Sequence, residues 1–118
     1  GIAGYCASMG LLIKNTFEGS ISGSTLYGGG GIVGWNQGGV VLDCVASSTT
    51  DCCALLGQGV GGIAGGNGSG GFVSDCTSYG TIADTFTGTS KLGGVVGSNA
   101  GRIVNCNNYT NLSNDTGN

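Results

Sequence analysis

The stretch GGIVGWNQGGVVLDC, from Gly30 to Cys44, decides the fold because it recurs along the chain. It returns as GGIAGGNGSGGFVSDC (Gly61–Cys76) and as GGVVGSNAGRIVNC (Gly93–Cys106), and the chain opens within a related unit, GIAGYCASMGLLIKNT (Gly1–Thr16). Internal repetition at a period of about 20 to 50 residues is typical of repeat architectures. The anchor glycines of the units follow one another at intervals of 30, 31 and 32 residues: Gly4, Gly34, Gly65 and Gly97.

Each unit contains three short extended segments separated by turns. The third segment places Ile21, Ile82 and Leu112 at equivalent positions. A unit of this size cannot bury its own apolar face, but copies stacked at the roughly 4.8 Å spacing of strands can. We therefore predict an all-β, single-domain parallel β-solenoid of about four coils of about 31 residues, with three short strands per coil. The coils are expected at approximately 1–29, 30–60, 61–92 and 93–118.

The composition restricts the classes of function. The 118 residues include 28 glycines and no proline, and 39% are hydrophobic against 8% charged, which argues against a disordered chain. A net charge of −3, with only Lys14, Lys91 and Arg102 as basic residues, argues against nucleic-acid binding. The sequence contains no apolar run of about 18 residues, so no membrane span is predicted.

Asparagine recurs two residues after the last glycine of the first segment. Asn36, Asn67 and Asn99 occupy this position, and Cys6 takes it in the first unit. Asparagine beside glycine tolerates the left-handed backbone that a sharp corner requires. We expect these residues to form a ladder of stacked corners.

The six cysteines divide into two groups. Cys44, Cys76 and Cys106 are equivalent in consecutive units, and their side chains should point the same way, which predicts a column of thiols. The other three are disulfide candidates, with Cys6 joined to Cys52 or Cys53 across a loop inserted in the second coil. An even count and low charge favour an oxidising, extracellular setting, and buried free thiols are the alternative.

The pattern GG[IV][VA]G-x-N-x-G-x-[IV]-x-[ND]-C resembles the GLUG repeat. This family occurs in large bacterial surface proteins, including adhesins of the filamentous-haemagglutinin type and IgA-protease-like proteins. The resemblance covers three full units and a degenerate first one, in which Thr16 replaces the unit cysteine and Cys6 the corner asparagine. It implies a β-solenoid in a secreted or surface protein.

The sequence contains few residues or motifs that could support catalysis, and we expect no enzyme activity, cofactor or metal. The absence of histidine excludes histidine-based triads and His-ligated metals. The motif GQGVGG is not followed by a segment that could form the helix of a dinucleotide site, and no Thr-x-Thr ladder supports ice binding. Asp43 and Asp75 align with Asn105 and Asn15, which indicates a Ca²⁺ site, an acid pair for carbohydrate cleavage, or an Asx ladder at a bend.

Two kinds of surface contact are expected. Sequons predict N-glycosylation acceptors at Asn67, Asn108, Asn111 and Asn114. Aromatic residues at comparable positions of neighbouring units could contact glycans or other subunits: Tyr5, Trp35, Tyr79 and Tyr109.

The sequence lacks the cap that normally closes a solenoid. Neither end carries a helix, a proline or a cluster of charges, so the chain is either cut from a longer array or stacks on copies of itself. The GGIVG-type segments are apolar on both faces, which favours contact with a neighbouring protomer. The sequence thus predicts an extracellular or cell-surface structural protein that self-assembles into a fibril or forms an adhesin stalk. The alternative is a carbohydrate-binding or carbohydrate-processing domain that meets glycans or host-cell ligands.

Overall fold

The chain folds entirely into strands and turns in the computed structural model, which describes residues 1–26, 28–54, 58–85 and 90–114. No helix that could cross a membrane occurs within these ranges. The strands are, in chain order, β1 (Ala3–Cys6), β2 (Leu11–Ile13), β3 (Thr16–Leu26), β4 (Gly29–Gly30), β5 (Val33–Asn36), β6 (Val40–Leu42), β7 (Val45–Ala54), β8 (Gly59–Gly61), β9 (Ala64–Asn67), β10 (Phe72–Ser74), β11 (Thr77–Asp84), β12 (Lys91–Gly93), β13 (Val96–Asn99), β14 (Arg102–Val104) and β15 (Asn107–Asn114).

The strands form four parallel sheets in which each neighbour comes from the next coil. Sheet I has the order β1-β5-β9-β13, sheet II β2-β6-β10-β14, sheet III β3-β7-β11-β15 and sheet IV β4-β8-β12. The predicted parallel β-solenoid is therefore confirmed. The prediction of three strands per coil is wrong: β4–β7, β8–β11 and β12–β15 are three complete turns of four strands, preceded by the partial turn β1–β3.

The strands of sheet III show the alternation that a half-buried strand requires. In β11, Ser78, Ile82 and Asp84 are buried, while Tyr79 and Thr81 between them are exposed. Stacking in register turns each buried position into a column that runs through the coils. The predicted alignment of the third segments is confirmed, and Thr50 completes their column.

The interior contains two apolar clusters. One is built mainly from sheets I and II and the start of sheet III, and its fully buried members include Ile32, Val33, Val41, Ile63 and Val73. The other lies between the far half of sheet III and sheet IV, where Cys52, Val60 and Ile82 pack with Leu92.

Sheet IV covers the second face of the GGIVG-type strands. A Cβ on Gly65 would lie 2.6 Å from both the Gly29 nitrogen and the Gly34 oxygen, and 2.7 Å from the Gly59 oxygen. One on Gly97 would lie 2.7 Å from the Gly59 carbonyl carbon. Backbone therefore packs directly on backbone, which only glycine permits. This face is therefore buried by the sheet IV strands of the same chain rather than by a neighbouring protomer.

The first coil is displaced by one residue from the predicted alignment. Lys14, and not Asn15, occupies the position of Asp43. Thr16 pairs with Val45, so Asn15 rather than Thr16 stands in the cysteine position. The displacement arises because corners tolerate different lengths. Residues 7–10 separate β1 from β2, whereas only residues 37–39 separate β5 from β6.

In the corner between sheets I and II, the left-handed backbone falls on residues other than the predicted asparagines: Met9, Gly38 and Gly70. A second left-handed corner follows sheet II. Four equivalent residues just after the sheet II strands have φ between 53° and 55°: Lys14, Asp43, Asp75 and Asn105. Asn and Asp are the non-glycine residues that best tolerate this conformation. The predicted corner residues instead end the strands of sheet I, and the expectation of a left-handed backbone for them is wrong: Asn36, Asn67 and Asn99.

Replacing equivalent glycines of two coils by alanine should change the free energy of unfolding in different directions. A Cβ on Gly4 meets nothing within 4 Å, because no described strand of sheet IV covers the first coil. We expect Gly65→Ala to lower the free energy of unfolding by about 1–3 kcal/mol through overpacking. Gly4→Ala should leave it unchanged or raise it by up to about 1 kcal/mol, because alanine restricts the unfolded chain. Urea midpoints measure both variants, and equal losses would contradict the covering role of sheet IV.

Candidate functional site

The two ends of the solenoid carry most of the large apolar side chains that are exposed in the described part of the chain. Among these exposed side chains of the described residues, Tyr79 alone belongs to an inner coil. Those of the first coil are Ile2, Tyr5, Met9, Leu11 and Ile13, and those of the last coil are Ile103, Val104, Tyr109 and Leu112.

Several of these residues continue columns that are buried elsewhere. Leu112 is 46% exposed, although Thr50 and Ile82 in the same column are each 1% exposed. Ile103 likewise continues the column of Val41 and Val73, both fully buried. Ile103 and Leu112 thus belong to interior columns that no further coil covers within the described residues. The candidate functional site is the exposed apolar surface of the first and last described coils.

An amide ladder runs along the corner between sheets I and II. Asn36 Nδ2 donates to Asn67 Oδ1 at 2.8 Å, and Asn67 Nδ2 donates to Asn99 Oδ1 at 2.8 Å. Each Nδ2 also donates to a backbone oxygen of its own corner, as Asn36 does to Gly39 at 2.9 Å. All donors point towards the last coil, so the ladder has a direction.

The ladder stops at the first coil because cysteine replaces asparagine there. Cys6 pairs with Asn36 in the register of sheet I, yet Asn36 Oδ1 is buried without a hydrogen-bond partner. Burial raises the pKa of the Cys6 thiol. A buried acceptor without a donor costs stability.

The cysteines of the predicted column lie at equivalent positions and are thiols. Their sulfurs donate to backbone oxygens: Cys44 to Leu42 at 3.3 Å, and Cys76 to Ser74 at 3.2 Å. Cys106 is only partly buried, at the last coil. Burial raises the pKa of Cys76 to about 12, so this thiol is protonated at every physiological pH.

The disulfide predicted for Cys6 does not form with Cys52. Both residues are buried thiols, and they lie in different apolar clusters. Cys52 belongs to strand β7 rather than to an inserted loop, and its sulfur fills the space beside Gly29. The side chain of Cys53 lies outside the described part of the structure.

The Asp43–Asp75 column has the features of an Asx ladder at a bend. Hydrogen bonds from the Ser74 hydroxyl and the Asn105 amide lower the pKa of the Asp75 carboxyl. The described residues contain no group of three or more acidic, Cys or His side chains that could hold a metal.

The aromatic candidates form two pairs on different sheets. Tyr79 and Tyr109 stack on sheet III, with ring centroids 5.2 Å apart and planes inclined by 13°. Tyr5 pairs with Trp35 on sheet I. The half-buried indole of Trp35 lies against Gly66, and its Nε1 donates to Gln37 Oε1 at 2.9 Å.

The predicted glycosylation acceptors differ in access. Asn67 is fully buried within the amide ladder, so the folded chain excludes its modification. Asn108 and Asn111 are exposed on β15, although Asn108 Oδ1 accepts a hydrogen bond from the Thr110 backbone. The side chain of Asn114 lies outside the described residues.

Sequence reasoning missed two features. The strands of sheet IV escaped because β4, β8 and β12 are only two or three residues long and contain much glycine, so they show no alternation of polar and apolar residues. Arg102 was considered only as a charge, whereas its guanidinium lies 5.5 Å from the centre of the Phe72 ring. The pairing of Phe72 with Arg102 in neighbouring strands is visible only once the register is known.

Comparison with protein-family models, with curated proteins and with solved structures gives no match for this chain. The likeness to the GLUG repeat therefore remains a prediction based on its residues.

Completing the amide ladder should stabilise the fold. Each ladder position is flanked by a glycine, and Gly10 stands beside Cys6 as Gly39 stands beside Asn36. An asparagine therefore has room, and Cys6→Asn can supply the donor that Asn36 Oδ1 lacks. We expect a gain of about 1 kcal/mol in the free energy of unfolding, measured with urea. Cys6→Ala is the control, and equal stability of the two variants would contradict this interpretation.

Thiol reactivity should follow burial. At pH 8 the thiolate fraction of Cys76 is on the order of 10⁻⁴, so iodoacetamide should leave it unmodified until guanidinium unfolds the chain. Among the cysteines whose side chains the structure describes, the partly exposed Cys106 should react first, as mass spectrometry would reveal. Equal rates for folded and unfolded protein at Cys76 would refute the buried column.

Proposed function

We propose that the protein is a structural, non-enzymatic β-solenoid whose copies stack head to tail into a fibre. The observation that carries the proposal is the continuation of buried columns into exposed residues of the last described coil, Ile103 and Leu112, and into half-buried residues of the first, Leu12 and Ile21. In the stack, the last coil of one copy lies on the first coil of the next. The same packing would join consecutive segments of an adhesin stalk.

The columns predict how the ends meet. Continuing the register of sheets II and III places Ile103 on Leu12 and Leu112 on Ile21 of the next copy. Apolar residue meets apolar residue, as in the interior of the chain. The hydrophobic effect then favours association, because each contact removes two partly exposed side chains from water.

The backbone supports the same arrangement. Strands β13, β14 and β15 at one end, and β1, β2 and β3 at the other, are edge strands with one unpaired side. Open edges recruit further strands. Because the two ends are different surfaces, their contact is heterologous and repeats without closing, which produces a filament.

The proposed location is extracellular or at the cell surface. The GLUG-like pattern and the low charge support this location. The buried thiols give it no support, because the described cysteines form no disulfide.

A carbohydrate-binding surface is the second candidate function. It is favoured by Trp35, whose indole lies over Gly66 on sheet I with Tyr5 as its neighbour. Rings held against a sheet are suited to stacking on sugars. The Tyr79–Tyr109 pair is less suited, since each ring covers a face of the other.

A lysine at the end of the column should block assembly. We expect Leu112→Lys to place an ammonium against Ile21 of the next copy and to raise the concentration needed for filaments at least tenfold. Electron microscopy and sedimentation measure the effect. Thr81→Lys, on an exposed position of an inner coil, is the matched control and should still assemble. Monomeric wild-type protein at micromolar concentration would refute the proposal.

Replacing Trp35 separates the two candidate functions. Under the fibre proposal, Trp35→Ala leaves filaments unchanged, since the indole lies over Gly66 of its own chain. Glycan arrays measured with both proteins test the alternative. Binding that is lost in Trp35→Ala would establish the carbohydrate surface, whereas no binding by wild type would exclude it.

A further inference from the structure

The sequence contains a single Asn-Gly dipeptide, Asn67 and Gly68, and it lies in the middle of the amide ladder. Deamidation begins when the backbone nitrogen of the following residue attacks the side-chain amide, and glycine hinders this attack least because it has no Cβ. The other two asparagines of the ladder precede larger residues, Gln37 and Ala100. The sequence therefore marks Asn67 as the ladder amide that deamidates most readily when nothing restrains it.

The folded structure engages both groups that this reaction joins. The Gly68 nitrogen donates to the Asn36 backbone oxygen at 2.7 Å. Asn67 Oδ1 accepts from Asn36 Nδ2, and Asn67 Nδ2 donates to Asn99 Oδ1, each at 2.8 Å. The same Nδ2 also donates to two backbone oxygens, at 3.3 and 3.2 Å: those of Gly71 and Arg102. The side chain cannot turn onto the Gly68 nitrogen without breaking these hydrogen bonds.

Burial removes the solvent that the reaction needs. Asn67 is fully buried, and its neighbours in the register of sheet I are Asn36 of the preceding coil and Asn99 of the following coil. Both coils belong to the same chain, so this protection does not rest on the proposed stacking of copies. Deamidation of Asn67 therefore requires an opening of the corner between sheets I and II.

We propose that Asn67 is a site of spontaneous deamidation that the folded solenoid protects and that opening of this corner exposes. The Gly68 nitrogen forms a bond to Asn67 Cγ, the Cγ–Nδ2 bond breaks, and ammonia leaves with the proton of the backbone nitrogen. One water molecule then hydrolyses the resulting succinimide at either of its two carbonyl groups. The products are aspartate and isoaspartate, and no electrons are transferred to another group.

Neither product can restore the ladder. Aspartate has no Nδ2 donor, so Asn99 Oδ1 would face a carboxyl group in a buried position, which costs stability. Isoaspartate lengthens the main chain by one carbon at the end of β9 and disturbs its pairing with β5 and β13. A chain that is modified while this corner is open therefore cannot close it again, and the opening becomes irreversible.

The rate of deamidation tests the protection directly. Intact protein is incubated at mildly alkaline pH with a reductant, either folded or in guanidinium, and deamidation is located by tandem mass spectrometry. We expect Asn67 to be the first asparagine modified in guanidinium, and its rate in the folded protein to be lower by at least about tenfold. Equal rates in the two states, or another asparagine modified first in guanidinium, would overturn the proposal.

Gly68→Ala is the matched control. The three atoms nearest to a Cβ on Gly68 all belong to the end of the flexible Gln37 side chain, so the fold has room for the change. This variant keeps Asn67 and the ladder, but its Cβ should slow deamidation in guanidinium severalfold. A rate equal to that of wild type would contradict the cyclisation through the residue 68 nitrogen.

Refolding tests the consequence. After increasing times in guanidinium, samples are diluted, and the fraction that regains the urea transition of the native protein is measured. We expect the lost fraction to match the fraction deamidated at Asn67, and Gly68→Ala to retain more native protein after the same exposure. Aspartate or isoaspartate at position 67 in refolded protein, at the same proportion as before dilution, would overturn the irreversibility. An Asn67→Asp variant as stable as wild type would also overturn it.

Discussion

Parallel pairing in register is the constraint on which the rest of the structure depends. It places each residue directly against its equivalent about one coil later in the chain. Side chains of the same type therefore stack at the spacing between neighbouring strands. Valine on valine and amide on amide are favourable, whereas like charges that stack are not. The rarity of charged residues, 8% of the chain, follows from this constraint. Asp43 and Asp75 are tolerated because their column is exposed and Ser74 and Asn105 donate to Asp75.

The sequence allowed the solenoid and most of its register to be predicted, because the repeat carries that information. Side chains that recur at one period, such as Ile82 and Leu112, can be aligned without knowing the fold. The strands of sheet IV could not be found this way, since they are only two or three residues long and much of their length is glycine. The displacement in the first coil also escaped prediction, because a corner may gain or lose a residue without disturbing the strands that it joins.

Polar residues inside the solenoid explain another error. The third segment of the second unit is obscured in the sequence by SSTTDCCALL, residues 47–56, and Cys52 and Cys53 were expected in an inserted loop. In the structure, Ser48 and Thr50 are buried and their hydroxyls lie 3.0 Å apart, so they form a hydrogen bond with each other. Short hydroxyl side chains that form such bonds can line the interior at little cost. The apolar pattern of a single unit is therefore an incomplete guide to its strands.

The amide ladder gives the solenoid a direction that bears on how copies can meet. Each Nδ2 group points towards the last coil, and each Oδ1 towards the first, where Asn36 Oδ1 lacks a donor. Two copies that met through their last coils would oppose Nδ2 groups of Asn99 and run their strands antiparallel. Contact between a last and a first coil instead preserves the parallel register and sets Asn99 against Cys6. A thiol is a weak acceptor, so the ladder is interrupted at that contact while the apolar columns continue. In the proposed fibre, the junction between copies would then be weaker than the junction between coils.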